Sequence, residues 1–424
     1  MTGTPQHSIY SARELGWWSA WKAAAVVFLF SRTVVFAAAY FAPLFLPEQY
    51  LADMPESMVH TGLPRLLDAL VRWDAWHYIL IARDGYAAGS TVWDTNIPFL
   101  PLYPWLMGLL GVGGGVDGLA VAGLLISNTT FFVALAVLYR LTAQDFGPAI
   151  ARRCMLYLAI FPTSFFLSAP YTESLFLLLT LGFFWALRGG KWPVKDIPGM
   201  EGASRVGSDG TLVVQLLALI FIMLMGNLWL GAAVFGGLAA LTRLPGALLV
   251  VVYLFEWYRR RADAGTPGWA WILASLIPTG TLIYMLTLQL SLGDPFFWHS
   301  TLSLWKVDYG AQLLDGGLKL PGVEVLFPAA VTALFVLAGL RGSRTWLPAY
   351  RVWFWLYFLV VLGLSFTTQG PFYSFIRFAL LAFPAFFVFA QWGEQRWFHL
   401  AYVAVSLLLL TISTMLFSQW YWVA

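Results

Sequence analysis

Apolar positions gather into long runs separated by short polar breaks. A helix crossing a hydrocarbon core of about 30 Å needs roughly 20 apolar residues. Runs of that kind fall at 22–46, 119–140, 154–169, 171–188, 211–229, 231–257, 268–291, 322–340, 350–367, 372–392 and 398–417, eleven candidate spans. The segment 98–112, "PFLPLYPWLMGLLGV", is shorter and carries three prolines. It is expected to be re-entrant or interfacial, because irregular backbone at membrane depth is tolerated only where it lines protein or a cavity. The pattern predicts an all-α integral membrane protein, a polytopic bundle of about eleven transmembrane helices. The chain reads as one transmembrane domain, 1–424, with no internal repeat of the kind an inverted-repeat transporter carries.

One stretch between the apolar runs has a different pattern. Residues 72–86, "RWDAWHYILIARDGY", bring two aspartates, a histidine and two arginines among tryptophans and tyrosines. At helical spacing Asp74, His77, Tyr78 and Ile81 share a face, with Trp73, Trp76 and Leu80 on its neighbour. Trp and Tyr favour the headgroup level, so the first long loop is predicted to contain an amphipathic helix at the membrane surface. Its polar side either meets water and headgroups or faces a cavity between the loop and the spans.

Composition supports the membrane reading: 60% of residues are hydrophobic and 11% charged, against about 25% charged in soluble domains. The net charge of +3 is small and dispersed, which excludes a nucleic-acid surface. Cys154 is the only cysteine, so neither an intrachain disulfide nor a thiolate metal cluster is available. The run after residue 21 is longer than a signal-peptide core and is expected to be a retained first span. Placing the N-terminus in the cytoplasm leaves sixteen of the 24 Lys and Arg inside and three, Arg32, Arg243 and Arg377, in or beside spans. Only Arg65, Arg72, Arg83, Lys306 and Lys319 then lie outside, as the positive-inside rule requires. The long external loops are 47–118 and 292–321, and 189–210 is a Gly/Ser-rich cytoplasmic loop expected to be flexible. "NTT" at 128–130 falls inside an apolar run and is expected to be silent as a glycosylation acceptor.

Further ionisable residues fall on the same predicted side as the 72–86 stretch. "FPTSFFLSAPYTESLF" (161–176) places Glu173 near a helix N-terminus, where the helix dipole favours a carboxylate. It is either a capping acid or a site residue. "DPFFWHS" (294–300) adds Asp294, Trp298 and His299. Arg377 lies less than two turns inside the end of a span, and Arg243 in "LTRLPG" is placed near mid-membrane beside Pro245. Ionisable groups within spans are expensive and mark functional sites by default. For both arginines a lipid phosphate is one partner; for Arg243 the alternative is pairing with carbonyls freed near Pro245.

Taken in order, "RWDAWHYILIARDGY", "IPFLPLYP", "FPTSFFLSAPYTESLF", "LAALTRLPG", "LGDPFFWHS" and "QWYWVA" resemble the bacterial relatives of glycosylphosphatidylinositol mannosyltransferase II, the PIG-V type, in the GT-C superfamily. The resemblance runs from about 20 to 424. It implies a GT-C-type helical bundle and a sugar, mannose, carried on a polyprenyl or dolichyl phosphate. It also implies a catalytic carboxylate in the first external loop, at Asp74, with Glu173 at the family's Tyr-Thr-Glu position and His299 on the donor side. The family leads one to expect an aromatic residue where His77 stands.

The expected reaction moves one hexose to an acceptor hydroxyl on the outer face of a bacterial plasma membrane, with inversion. Asp74 is the expected general base, with Asp84 or Glu173 as substitutes. Arg377, His299 and Arg243 would bind phosphate, while His77, Tyr78, Trp73 and Trp298 would bind sugar. No cofactor or metal is expected. The expected partners are the polyprenyl-phosphate sugar, a glycolipid or other hydroxyl acceptor, and membrane lipids. The alternative is a transporter or flippase of a lipid-linked sugar, which would not make a covalent product.

Overall fold

The computed structural model describes residues 15–49, 54–111, 113, 115–190, 228–263, 265–301, 323–367 and 374–423. All but the first two residues of the predicted loop 189–210, most of the span 211–229 and Lys306 and Lys319 lie outside the described residues. Among those described, the regular structure is helical: α1 (Trp17–Phe41), α2 (Arg65–Asp68), α3 (Asp74–Asp84), α4 (Leu102–Leu110), α5 (Val116–Phe146), α6 (Pro148–Ala159), α7 (Glu173–Leu187) and α8 (Leu228–Thr242). The order continues with α9 (Leu249–Arg260), α10 (Leu276–Leu292), α11 (Phe297–Thr301), α12 (Val323–Gly342), α13 (Pro348–Thr367), α14 (Phe375–Ala379), α15 (Pro384–Trp392) and α16 (Arg396–Ser418). Among the described residues five stretches are long and apolar enough to cross a bilayer: Trp17–Leu44, Val116–Phe146, Ala270–Leu292, Pro348–Ser365 and Arg396–Ser418. Three shorter apolar helices, Glu173–Leu187, Leu228–Thr242 and Leu326–Gly342, stand among them. The protein is an integral membrane protein with an all-helical architecture.

The interior is aromatic. α7 packs against α5 and α8, α8 against α10, and α5 against α1, α4 and α6. Phe184, Tyr350, Trp353, Phe383 and Phe387 interlock, mostly edge to face, between α7, α13 and the N-terminal end of α15. At the α8–α10 crossing Gly237 and Gly280 face each other. A Cβ on Gly237 would stand 2.6 Å from the Leu276 carbonyl oxygen, and one on Gly280 would strike that of Gly237. Small residues let helix backbones approach in this way where lipid gives no hydrophobic drive for association.

Two breaks within predicted spans shape the site. The run 231–257 ends as α8 at Thr242, turns through a 3-10 segment at Leu244–Leu248, and resumes as α9. Pro245 lacks an N–H and its ring crowds the preceding turn, so Arg243 occupies a helix end instead of a helix middle. The run 154–169 is helical only to Ala159 and continues irregularly, with a 3-10 segment at Ser164–Leu167, before α7.

The second break frees backbone carbonyls that must find donors. Arg32 of α1 supplies them, donating to the carbonyls of Ala159 and Ser164 at 3.0 Å each and to the Ser168 hydroxyl at 2.9 Å. Asn128 of α5 donates to the Ser168 carbonyl at 3.2 Å and accepts from its hydroxyl at 2.8 Å. The intramembrane Arg32 and the asparagine of "NTT" are therefore structural.

The 47–118 region is folded onto the bundle by the chain's other end. Arg72 donates to the Ser418 carbonyl at 3.1 Å, and Gln49 N–H to the Gln419 carbonyl at 2.9 Å. α3 packs on α4 and α5 and is covered over most of its length; only Arg83 and Asp84 at its end are exposed. That depth of burial exceeds what its amphipathic pattern alone predicts.

Candidate active site

Asp74 and Glu173 each open a helix: Asp74 is the first residue of α3 and Glu173 the first of α7. Both carboxylates therefore sit where partial positive charge accumulates at a helix N-terminus. Arg243 follows the last residue of α8, at the end that favours a cation. Arg377 comes from the short helix α14, which Ser374 introduces with a left-handed backbone, φ 52°. Helix ends of matching sign converge, and they bring four charges together.

The pairing is close. Arg377 donates from Nε to Glu173 Oε1 at 2.5 Å and from Nη1 to Asp74 Oδ2 at 2.7 Å. Arg243 donates from Nη1 to the same Glu173 oxygen at 2.6 Å and to the Thr172 hydroxyl at 2.9 Å. Glu173 has no exposed surface and Arg377 is buried, whereas the side chains of Asp74 and Arg243 each keep 13% of theirs. With both acids ionised, two anions balance two cations. Glu173 Oε2 is buried with no hydrogen-bond partner among the described residues. Aromatic faces complete the enclosure: Arg377 lies 4.7 Å from the Phe166 ring centre and 4.6 Å from that of Tyr171, and Arg243 lies 4.9 Å from that of Phe378. Such contacts strengthen in a desolvated setting.

The predicted residues separate into groups. Asp74, Glu173, Arg243 and Arg377 meet directly, and Tyr78 is adjacent, its hydroxyl 3.4 Å from that of Thr172. His77 and Trp73 lie in the neighbouring aromatic wall. The His77 ring stacks on Phe99 at 4.6 Å and 13°, and beyond it Trp93 lies nearly parallel at 6.4 Å. Burial pulls its imidazole down to about 4, against the opposing charge of Asp74. The ring is thus neutral and packs as the expected aromatic residue would. Trp73 stands between Trp93 and the C-terminal Trp420 and Trp422, with centroids 6.2, 5.6 and 5.2 Å away.

Asp84 is exposed and pairs with Arg83 at 2.6 Å, away from the cluster. Trp298 packs beside Ile97, Leu100, Tyr284 and Leu288. His299 is exposed, contacts the Trp298 ring, and among the described residues makes no ion pair with the cluster.

Sequence reasoning missed a supporting set. Tyr171 and Thr172 directly precede Glu173 and contact Asp74 and Arg243 respectively. Tyr357 of α13 donates to the Phe378 carbonyl at 3.1 Å, fixing the turn after Arg377. Arg72 is bound by Asp68 at 3.0 Å, and His60 bridges Asp68 at 3.0 Å to Glu48 at 3.3 Å. Burial pushes the Asp68 carboxyl up, but Arg72 and the Thr61 amide outweigh it and hold it below the usual carboxylate range. The available signals were adjacency to Glu173 and the i,i+4 spacing of Asp68 and Arg72.

Residues 25–225 match the model of the mannosyltransferase (PIG-V) family. Over that segment the chain is similar to the PIG-V mannosyltransferases. The matched segment contains Asp74 and Glu173 and ends before Arg243, His299 and Arg377. The GPI mannosyltransferase 2 of Cryptococcus neoformans is 30% identical over 171 residues, which are 38% of this chain and 38% of that protein. The GPI alpha-1,6-mannosyltransferase 2 of Cricetulus griseus is 32% identical over 167 residues, 36% of this chain and 31% of that protein. The chain thus spans about a third of the length of the curated PIG-V relatives it matches. Among solved structures, an oligosaccharyltransferase from Archaeoglobus fulgidus aligns with 92% of this chain and 53% of its own, at 14% identity and a TM-score of 0.42.

Proposed function

We propose that the protein is a GT-C-type glycosyltransferase moving a mannosyl unit from a polyprenyl phosphate, dolichyl-phosphate-like, to a hydroxyl of a glycolipid or other acceptor. The reaction takes place at the outer face of the membrane, where the positive-inside distribution puts the 47–118 region; by the resemblance this is a bacterial plasma membrane. The observation that carries the reading is the meeting of Asp74, Glu173, Arg243 and Arg377, drawn from four separate parts of the chain, within one partly open ionic cluster.

Asp74 is the general base. Arg377 holds its Oδ2 at 2.7 Å, which leaves Oδ1 to take the proton. The acceptor hydroxyl gives its proton to that oxygen as its own oxygen bonds to the anomeric carbon. The bond from that carbon to the phosphate oxygen breaks, and its electron pair leaves with the lipid phosphate. Attack opposite the leaving group inverts the anomeric centre. A general base at this position contributes roughly 10²–10⁴-fold.

The two arginines take different tasks. Arg377 commits Nε to Glu173 and Nη1 to Asp74, so its main work is to hold the base. Arg243 engages only Nη1 among the described residues and keeps some exposure. It is the better phosphate ligand, with His299 joining from the 292–321 segment on the donor side. Glu173 links the arginines and fixes their separation. In this reading Tyr78 lines the sugar's approach, Trp73 and His77 form the buried wall behind it, and Trp298 stands apart beside Ile97 and Tyr284.

The test uses purified full-length protein in lipid nanodiscs with radiolabelled polyprenyl-phosphate mannose and a panel of glycolipid acceptors. A new covalent mannosyl product is expected. In sealed liposomes, label that crosses the bilayer without forming such a product would establish the transporter reading instead.

A further inference from the structure

Trp73, the residue before Asp74, has φ 53° and ψ −121°. A bulky L-residue rarely adopts a positive φ, and such strain persists only where the surroundings over-determine it. Here one side chain fastens both flanks of the strained residue. The buried Tyr171 hydroxyl donates to the Arg72 carbonyl at 2.9 Å and accepts the Asp74 N–H at 3.1 Å. The ring of the same tyrosine lies 4.6 Å from the Arg377 guanidinium, the group that grips the Asp74 carboxylate.

The rest of the elbow is braced from outside. The Arg72 side chain donates to the Asp68 carboxylate at 3.0 Å, to the Asp68 carbonyl at 2.7 Å and to the Ser418 carbonyl at 3.1 Å. The Trp73 ring is held among Trp93, Trp420 and Trp422.

We propose that Tyr171 is the positioning residue of Asp74: its hydroxyl locks the left-handed elbow at Trp73, and its ring seats the arginine that orients the carboxylate. This role rests on Asp74 acting as the base. Small misplacements of a reacting group are costly, with about 1 Å able to remove 10²-fold in rate. Tyr171 touches no reacting atom in this scheme and acts through Asp74 alone.

Tyr171→Phe is the test, because it keeps the ring against Arg377 and removes both hydrogen bonds. In the transfer assay kcat should fall about 10- to 100-fold while the donor KM stays within about twofold. Unchanged kcat, or a loss carried by KM, overturns the proposal. Hydrogen–deuterium exchange in nanodiscs reads the elbow without any turnover. The amides of 72–76 should exchange slowly in the native protein and faster in Tyr171→Phe, with peptides of α5 and α7 unchanged. Fast exchange at 72–76 in the native protein overturns the elbow whether or not the variant accumulates. If the native protein makes no product, the transferase reading fails while the exchange result still decides the elbow.

Discussion

Replacing Asp74 with Asn separates the two things its carboxylate does. The side chain keeps its size, and Arg377 keeps Glu173 at 2.5 Å, so the buried cation is not stranded. What disappears is one negative charge and one proton acceptor. Two anions facing two cations become one facing two. A phosphate at about 8–15 Å with an effective dielectric constant near 20 would feel that change as about 1–2 kcal/mol of added attraction. Donor binding should therefore hold or tighten by up to about 30-fold.

Turnover should move the other way. Loss of general-base help of roughly 10²–10⁴-fold corresponds to about 3–5 kcal/mol of barrier at 1.36 kcal/mol per decade. Initial rates at saturating donor and acceptor give the turnover, and equilibrium binding of a non-transferable phosphonate analogue gives the affinity. A rate within tenfold of the native protein's would refute the assignment of Asp74 as base. A large loss of affinity would refute the charge balance read from the cluster.

Arg243→Gln should raise the donor KM by about 10- to 100-fold, the equivalent of one charge-assisted hydrogen bond, with a smaller effect on kcat; an unchanged KM would move the phosphate elsewhere. His77→Phe should preserve the stack on Phe99 and flatten the acid limb of stability. The imidazole is held near 4 in the fold and titrates near 6.5 when unfolded. The unfolded chain therefore takes up the proton first, and stability is lost as pH falls from about 6.5 toward 4. At pH 5 that amounts to about 2 kcal/mol relative to neutrality, so thermal unfolding at pH 7 and pH 5 should differ less in the variant than in the native protein. An equal pH dependence in both would show that His77 is not buried as a neutral ring.

Local sequence determined a good deal of this protein. Runs of apolar residues specify membrane helices because burying backbone in hydrocarbon leaves few other structures. The 3.6-residue period also picked out 72–86, and the acids and arginines that form the cluster were all visible as misplaced charges. The sequence could not sort those charges by partner. Arg32 and Arg377 carry the same signature, an arginine in an apolar run, yet Arg32 satisfies carbonyls at a broken helix and Arg377 grips the two acids. Asp74 and Asp84 are ten positions apart on one helix, and only the first meets the cluster. Pro245 announced a break, but not that it would bring Arg243 to Glu173. Helix formation is read over a few neighbouring residues. An ion pair between Arg377 and Asp74 spans 303 positions, and only the packed bundle sets which distant helix ends come within hydrogen-bonding distance.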